Sequence, residues 1–267
     1  MNVFSKGRKK FIGFSFFLYL GAFYCGINLY LNDKLRAEME GVIAEGKKKE
    51  EMLKIHERNA PSYEKKTEKF EVRNQFNKYR RILTSYAKGK TLELGVGTGR
   101  SFEFYKDDAE VIGIDHSAKM LEQAKGKLDE KEDNKIFEKI QIKIKLLDCE
   151  EIKENFPADY FDTVIDFNNF HCYDDYKKVY DNIKHTLKHD GIFLFLARGE
   201  SDFFLLRDFY NVFRPYVFMK YGMDLTTNWS ELIENDKDWE VLYEERKNYG
   251  RTYIYILKLK KSKEINI

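Results

Sequence analysis

Cysteine is scarce in this chain: three residues in 267, Cys25, Cys149 and Cys172, odd in number and far apart. That spacing excludes a disulfide framework, offers no zinc-ligand pairing, and suits a thiol-permissive compartment. Charge of one sign is lacking too. Forty-seven Lys and Arg stand against 45 Asp and Glu for a net charge of +2, and no basic stripe with interleaved aromatics occurs. The footprint of a nucleic-acid binder, or of a protein steered to a strongly acidic partner, is therefore missing. What is present is 43% apolar and 34% charged residues, a globular composition at a length that allows one domain with a substantial core plus an appendage.

The amino terminus is the appendage. Lys6, Arg8, Lys9 and Lys10 form a basic segment over 1–10, followed by FIGFSFFLYLGAFYCGINLYL, residues 11–31, without one charge. As a helix this run measures about 31 Å, close to the hydrocarbon thickness of a bilayer. It predicts a single-pass transmembrane anchor. A cleaved signal peptide would have a shorter apolar region and a small-x-small exit, which is absent, and a core helix would show a polar face. Residues 32–60 then predict a helical stalk, with Leu35, Met39, Val42 and Ile43 on one face; Lys47 to Lys49 read first as a solvated surface and second as contacts to anionic lipid headgroups. The basic residues before the anchor outnumber Lys34 and Arg36 after it, which directs the domain to the non-cytosolic or intermembrane side.

Residues 61–267 form the predicted domain. A helix is expected over 66–87, and from position 90 the pattern turns into seven β-like runs: TLELGV, AEVIGID, IQIKIKLLD, FDTVIDFNN, GIFLFLA, WEVLYEE and TYIYILKLK. Helical stretches at 101–106, 117–129 and 173–188 separate the earlier runs. This alternation predicts an α/β fold: a Rossmann-like, seven-stranded, mostly parallel sheet covered on both faces. The last two runs are joined only by KNYGRT, so they predict an antiparallel edge hairpin.

The first run ends in TLELGVGTGR, with glycines at 95, 97 and 99 just before a helix. One glycine would turn the chain; three imply a main chain bared to a ligand at the carboxyl edge of the sheet. The G-x-G-x-G spacing is not the dehydrogenase G-x-G-x-x-G, and no lysine-serine pair follows as in a P-loop. The second run ends at Asp115, 20 residues beyond Gly95, where a carboxylate accepts bonds from ribose hydroxyls. Ser117 caps the next helix. The third ends at Asp148 and Cys149. Taken singly, Asp115 is equally well a cap and Asp148 a loop carboxylate.

These motifs, ELGVGTG, GIDHSAKML and LLDCEE, resemble the class I S-adenosylmethionine-dependent methyltransferases over roughly residues 61–260. The resemblance implies S-adenosyl-L-methionine as cofactor, with Glu93 and Gly95, Gly97 and Gly99 against the methionine moiety. It also implies Asp115 on the ribose, His116 on the adenine face, and Asp148 with the Cys149 backbone at the adenine edge. A closer resemblance is to quinone-type methyltransferases and to membrane-anchored mitochondrial methyltransferase-like proteins associated with cytochrome oxidase assembly. It is carried by RRILTSYAKGKTLELGVGTGRSFEFY, FDTVIDFNNFHCYDD, LFLARGES, TTNWSEL and NYGRTYIYIL. It implies a mitochondrial inner membrane location, with endoplasmic reticulum as the alternative. Asn168 and Asn169 depart from the family's hydrophobic-glycine pair at the cofactor edge.

Methyl transfer from a sulfonium needs alignment and water exclusion more than reactive residues. For a hydroxyl or acidic-carbon acceptor a general base helps, and His171 is the candidate, its alternative being a rim histidine. Asp166 reads either as a substrate-orienting group or as a buried, hydrogen-bonded carboxylate. No Asn-Pro-Pro-aromatic tetrad follows the fourth run, so nothing signals amino-group methylation of nucleobases or glutamine. The segment DFFLLRDFYNVFRPYVFMKYGMD, residues 202–224, is aromatic all round; it predicts a lipophilic small-molecule acceptor, a bilayer surface, a protein partner or a thick core helix. A non-catalytic membrane-anchored assembly factor with the same fold is the competing function, and an NAD-dependent reductase a third, disfavoured by the glycine spacing.

Overall fold

Alternation along the β-runs sends side chains to both faces of one sheet, and each face carries its own core. Leu92, Leu94, Phe193, Phe195 and Tyr255 pack on one side; Val111, Ile165, Leu194, Leu196 and Ile254 pack on the other. The structure, a computed structural model, describes residues 25–26, 29–106, 108–132 and 140–260. Its strands are β1 (Lys90–Leu94), β2 (Glu110–Asp115), β3 (Gln141–Leu146), β4 (Phe161–Phe167), β5 (Leu187–Arg198), β6 (Trp239–Lys247) and β7 (Thr252–Leu259). They form a seven-stranded sheet in the order β3-β2-β1-β4-β5-β7-β6. The first five are parallel, and β7 runs antiparallel between β5 and β6. The expected Rossmann-like sheet and edge hairpin are both present. Because the chain winds outward from β1 to β3 and then returns to lay β4 on the other side of β1, a crevice opens at the carboxyl ends of β1 and β4.

The helices depart from expectation in instructive ways. The predicted helix over 66–87 is two, α3 (Tyr63–Arg73) and α4 (Phe76–Thr84), reversed at Gln75, which adopts φ 58°. The bend brings Arg80 against Glu71 in a buried bidentate pair at 2.6 and 2.9 Å, an arrangement that a straight helix cannot supply and that two buried charges require. The stretch 101–106 forms only a single 3-10 turn, Phe102–Phe104. Between β2 and β3 lies α5 (Ala118–Glu132), and α6 (Ile152–Asn155) precedes β4. α7 (Tyr176–Thr186) stops two residues early because β5 begins at Leu187. The aromatic segment 202–224 is also two helices, α8 (Phe204–Val212) and α9 (Arg214–Tyr221), broken before Pro215 and ended by Gly222 at φ 66°. A short α10 (Trp229–Glu234) precedes β6.

Residues 32–60 do not stand clear of the domain as a stalk. The helix α1 (residues 29–44) and α2 (Lys48–Asn59) fold back onto it, burying Met39 and Met52 against Phe218 of α9. Within the run Lys47 to Lys49, Lys47 is solvated as expected, while Lys48 and Lys49, the latter still partly exposed, also reach acids of the domain, Asp174 at 3.0 Å and Asp148 at 2.7 Å. The anchor expected over 11–31 lies mostly outside the described residues, and among the described residues no helix is long and apolar enough to cross a membrane.

Candidate active site

The strand ends converge on a cavity of about 440 Å³, within the roughly 300–1,000 Å³ of small-molecule sites. Its floor is the turn after β1. Gly95 and Gly97 line it at φ 56° and 55°, a region that side-chain-bearing residues rarely enter. A Cβ on Gly97 would meet only the Gly95 carbonyl at 3.8 Å, so this wall is bare main chain. Gly99 turns inward instead, against the Phe102 ring. Asn169 secures the turn from β4 by donating its Nδ2 hydrogens to the carbonyls of Leu94 at 3.0 Å and Phe167 at 3.1 Å.

Asp115, at the end of β2, lines the cavity. Its Oδ2 accepts the Gly97 N–H and its Oδ1 the Ser117 N–H, each at 2.8 Å, leaving further lone pairs free. Burial raises its carboxyl above the ordinary aspartate value, the neighbouring His116 and these two amides opposing. Ser117 caps α5 by accepting the Met120 N–H. Asp148 and Cys149 line the same end. His116 meets His56 of α2, Nε2 to Nδ1 at 3.1 Å, while Lys49 reaches Asp148 and Ser117 donates to Glu57 at 2.7 Å. Thus α2 roofs the end that Asp115, His116 and Asp148 define.

Glu93 sits one step behind the turn, at an adjoining recess that also touches Gly95 and Gly97. Burial pushes its carboxyl up to about 7, against the hydroxyls of Ser101 and Tyr105 that donate to it. Its oxygens are thus already engaged in bracing the loop. Asp166 proves to be the buried, hydrogen-bonded alternative: fully inaccessible, it accepts the Tyr173 hydroxyl at 2.6 Å and the Asn169 N–H at 2.9 Å.

His171, the candidate base, is 2% exposed and is not part of the cavity wall. Burial first, and then the charges of Arg198 and His56, hold its imidazole well below the ordinary value. A neutral ring is what its partner needs: Nε2 accepts from Arg198 Nη2 at 3.0 Å. The structure therefore sets His171 behind Arg198, and Arg198 faces the cavity. Asn168, whose φ of 71° an asparagine tolerates, turns its Oδ1 to accept from Arg198 Nε at 2.9 Å. The two asparagines that break the family's pattern thus have separate tasks, one bracing the glycine turn and one orienting an arginine.

Tyr63, Arg198, Tyr210 and Arg251 complete the far end of the cavity. Tyr210 belongs to the aromatic segment 202–224, whereas sequence reasoning passed over Tyr63 and the two arginines. The signal for Arg198 and Arg251 lay in LFLARGES and NYGRTYIYIL, two segments noted for likeness alone, which β5 and β7 bring side by side.

The fold is shared with other proteins. The YcgJ protein from Bacillus subtilis superposes with a TM-score of 0.54 at 15% identity, over 70% of this chain and 99% of that one. The CurJ carbon methyltransferase gives 0.50 at 13% identity, over 85% and 71%. Residues 86–245, more than half of the sequence, match the family described as a methyltransferase domain, and the chain belongs to that family. A phosphatidylethanolamine N-methyltransferase of Cereibacter sphaeroides is 39% identical over 77 residues, 29% of this chain and 34% of that relative. The similarity therefore spans about a third of the relative's length.

Proposed function

We propose that this chain is a membrane-anchored enzyme that moves the methyl group of S-adenosylmethionine to a lipophilic small-molecule acceptor. The observation that carries the reading is one cavity lined by a bare glycine turn and carboxylates and, beyond them, by aromatic and apolar side chains among which Arg198 and Arg251 stand. When bound, S-adenosylmethionine supplies a methyl already activated on a sulfonium. The chain's own part is alignment and exclusion of water. Asp115 has lone pairs for ribose hydroxyls, Asp148 an acceptor for an exocyclic amine, and the Gly95–Gly97 main chain room for the methionine portion. Buried His171, engaged by Arg198, is better suited to positioning that guanidinium than to taking a proton from an acceptor.

The lipophilic part of the reading draws on α8 and α9. Tyr210, Val217 and Tyr221 turn inward to the cavity, while Phe203, Phe204, Leu205 and Phe209 are exposed on the outer side. Asn32 in α1, at the end of the apolar run, donates to the Val212 carbonyl of α8 at 2.6 Å, so a bilayer-inserted run 11–31 would enter beside that apolar face. The phosphatidylethanolamine acceptor named for the Cereibacter relative is consistent with a lipid-like substrate. A mitochondrial inner membrane setting, with the endoplasmic reticulum as the other candidate, belongs to the same proposal.

The test is methyl transfer by the full chain in lipid nanodiscs, with radiolabelled S-adenosylmethionine and polyprenylated phenols or phosphatidylethanolamine as acceptors. Label in the lipid fraction, lost in Asp115→Ala, supports the enzyme. Label confined to protein or to water-soluble acceptors overturns the lipophilic reading. A folded Asp115→Ala variant that retains full function in cells supports the assembly-factor alternative.

A further inference from the structure

The acceptor end of the cavity holds two guanidinium groups with no carboxylate in ion-pair contact; Glu71 lines the same cavity and acts on Arg198 from a distance, but it is paired with Arg80 and Arg100. In the antiparallel register of β5 and β7, Arg198 faces Thr252, and the Gly199 N–H donates to the Arg251 carbonyl at 2.9 Å. The two arginines therefore come from adjacent strand ends, and both line the cavity. Every partner that holds the Arg198 side chain is neutral: Asn168 Oδ1, His171 Nε2, Met223 Sδ at 3.0 Å and the Phe70 ring below it. These use Nε and Nη2, and none engages Nη1. Arg251 lies 3.5 Å over the Tyr210 ring, with its Nε buried and without a hydrogen-bond partner.

The nearby carboxylates are committed elsewhere. Glu71 is shared by Arg80 and Arg100, Asp224 pairs with Arg214 at 2.7 Å, Asp202 with Arg246 at 3.0 Å, and Glu200 faces Arg207 at 3.9 Å. Burial lowers the proton affinity of both guanidinium groups, and the charge on Arg198 lowers that of Arg251 further. A buried, hydrogen-bonded cation without a counter-charge is expensive to keep. It is the more so in a cavity that must also admit a cationic sulfonium. Tyrosine and phenylalanine faces recover only part of that cost.

We propose that Arg198 and Arg251 form an oxyanion site that takes a phosphate or carboxylate group on the methyl acceptor. The proposal rests on the methyltransferase reading of the cavity and adds the charge class of its substrate. The Nη1 side of Arg198 and the cavity-lining guanidinium of Arg251 bring N–H donors of the kind that grip two oxygens of one anion. His171 and Asn168 are positioning residues that fix the Arg198 fork. The anion would neutralise the end opposite the nucleoside, so acceptor and donor would favour each other's binding.

Calorimetry on the full chain in non-ionic detergent, with and without saturating S-adenosylhomocysteine, tests this with three water-soluble probes: hexyl phosphate, hexanoate and hexanol. At least one anion should bind about tenfold or more tighter than hexanol, a difference of about 1.4 kcal/mol. Preference for hexyl phosphate assigns a phosphorylated acceptor, and preference for hexanoate a carboxylated one. Arg251→Gln should erase the preference, Arg251→Lys should restore part of it, and both should bind S-adenosylhomocysteine within about threefold of wild type. Arg198→Lys, which keeps the charge but loses the fork, is the second variant and should weaken the anion without abolishing it. Equal binding of all three probes, or an undiminished preference in folded Arg251→Gln, overturns the proposal. Failure of S-adenosylhomocysteine to bind wild type would instead overturn the methyltransferase reading, and the anion preference measured without it would still decide this one.

Discussion

The side-chain carboxamide carbon of Asn169 lies 2.5 Å from the point a Cβ on Gly95 would occupy. Gly95 is thus fixed twice, by its positive φ and by a neighbour from another strand that is itself bonded to the Leu94 and Phe167 carbonyls. Gly95→Ala should lower stability by about 1–3 kcal/mol and weaken S-adenosylhomocysteine binding. Adding Asn169→Gly should recover only the steric part, because the backbone strain persists. Chemical denaturation of the two variants separates these contributions; full recovery in the double variant would contradict the strained-turn account.

Asp115 ties the glycine turn to the start of α5 through the Gly97 and Ser117 amides. In Asp115→Asn one of those N–H groups must face an amide NH2. We expect a loss of about 2 kcal/mol in cofactor affinity, on the order of thirtyfold, measured by calorimetry on protein whose circular dichroism matches wild type.

Lys49 bridges Asp148 and Glu150 from α2, yet its own side chain is 41% exposed. Solvent-screened pairs of this kind contribute little to stability, about 0.5 kcal/mol. Lys49→Ala should therefore leave the denaturation midpoint nearly unchanged while speeding association and dissociation of S-adenosylhomocysteine in stopped flow, since it unlatches the roof over the nucleoside end. Unchanged rates would show that α2 does not control access.

His56 titrates where this roof meets the domain. Burial, and then the charge on His116, lower its imidazole from 6.5 to about 4, with the carbonyls of Gly222 and Tyr221 opposing. Between those values the unfolded chain takes up a proton that the native chain refuses. The stabilisation is complete above pH 6.5, falls as the pH drops through the window, and is gone below about 4. The loss is on the order of 3 kcal/mol. Urea titrations should show a shallower acid limb for His56→Gln than for wild type, and parallel limbs would refute the assignment.

The strands and the glycine-turn end of the candidate cavity were legible because their information is local. Short apolar runs, the earlier ones separated by helical stretches, mark β1 to β7, and the glycines with Asp115 and Asp148 announce a bared turn at strand ends. The rest depends on contacts between distant segments, which periodicity does not carry. The bend at Gln75 answers to the buried Glu71–Arg80 pair, and the return of α2 to the domain answers to Met52, His56 and Lys49 finding partners far along the chain. His171 was singled out for its ordinary titration range, but burial behind Arg198 removes that property. Asn168 and Asn169 looked like defects in a motif only because their partners, Arg198 and the Gly95 turn, lie on other strands.

The two ends of the cavity are built from different parts of the polypeptide, the glycine-turn end largely by the tips of β1 to β3 and the opposite end largely by β5, β7 and the helices that flank them. Such a division lets selection, or an engineer, reshape one end of the cavity by rewriting the carboxyl-terminal third while the glycine turn and its carboxylates are inherited intact.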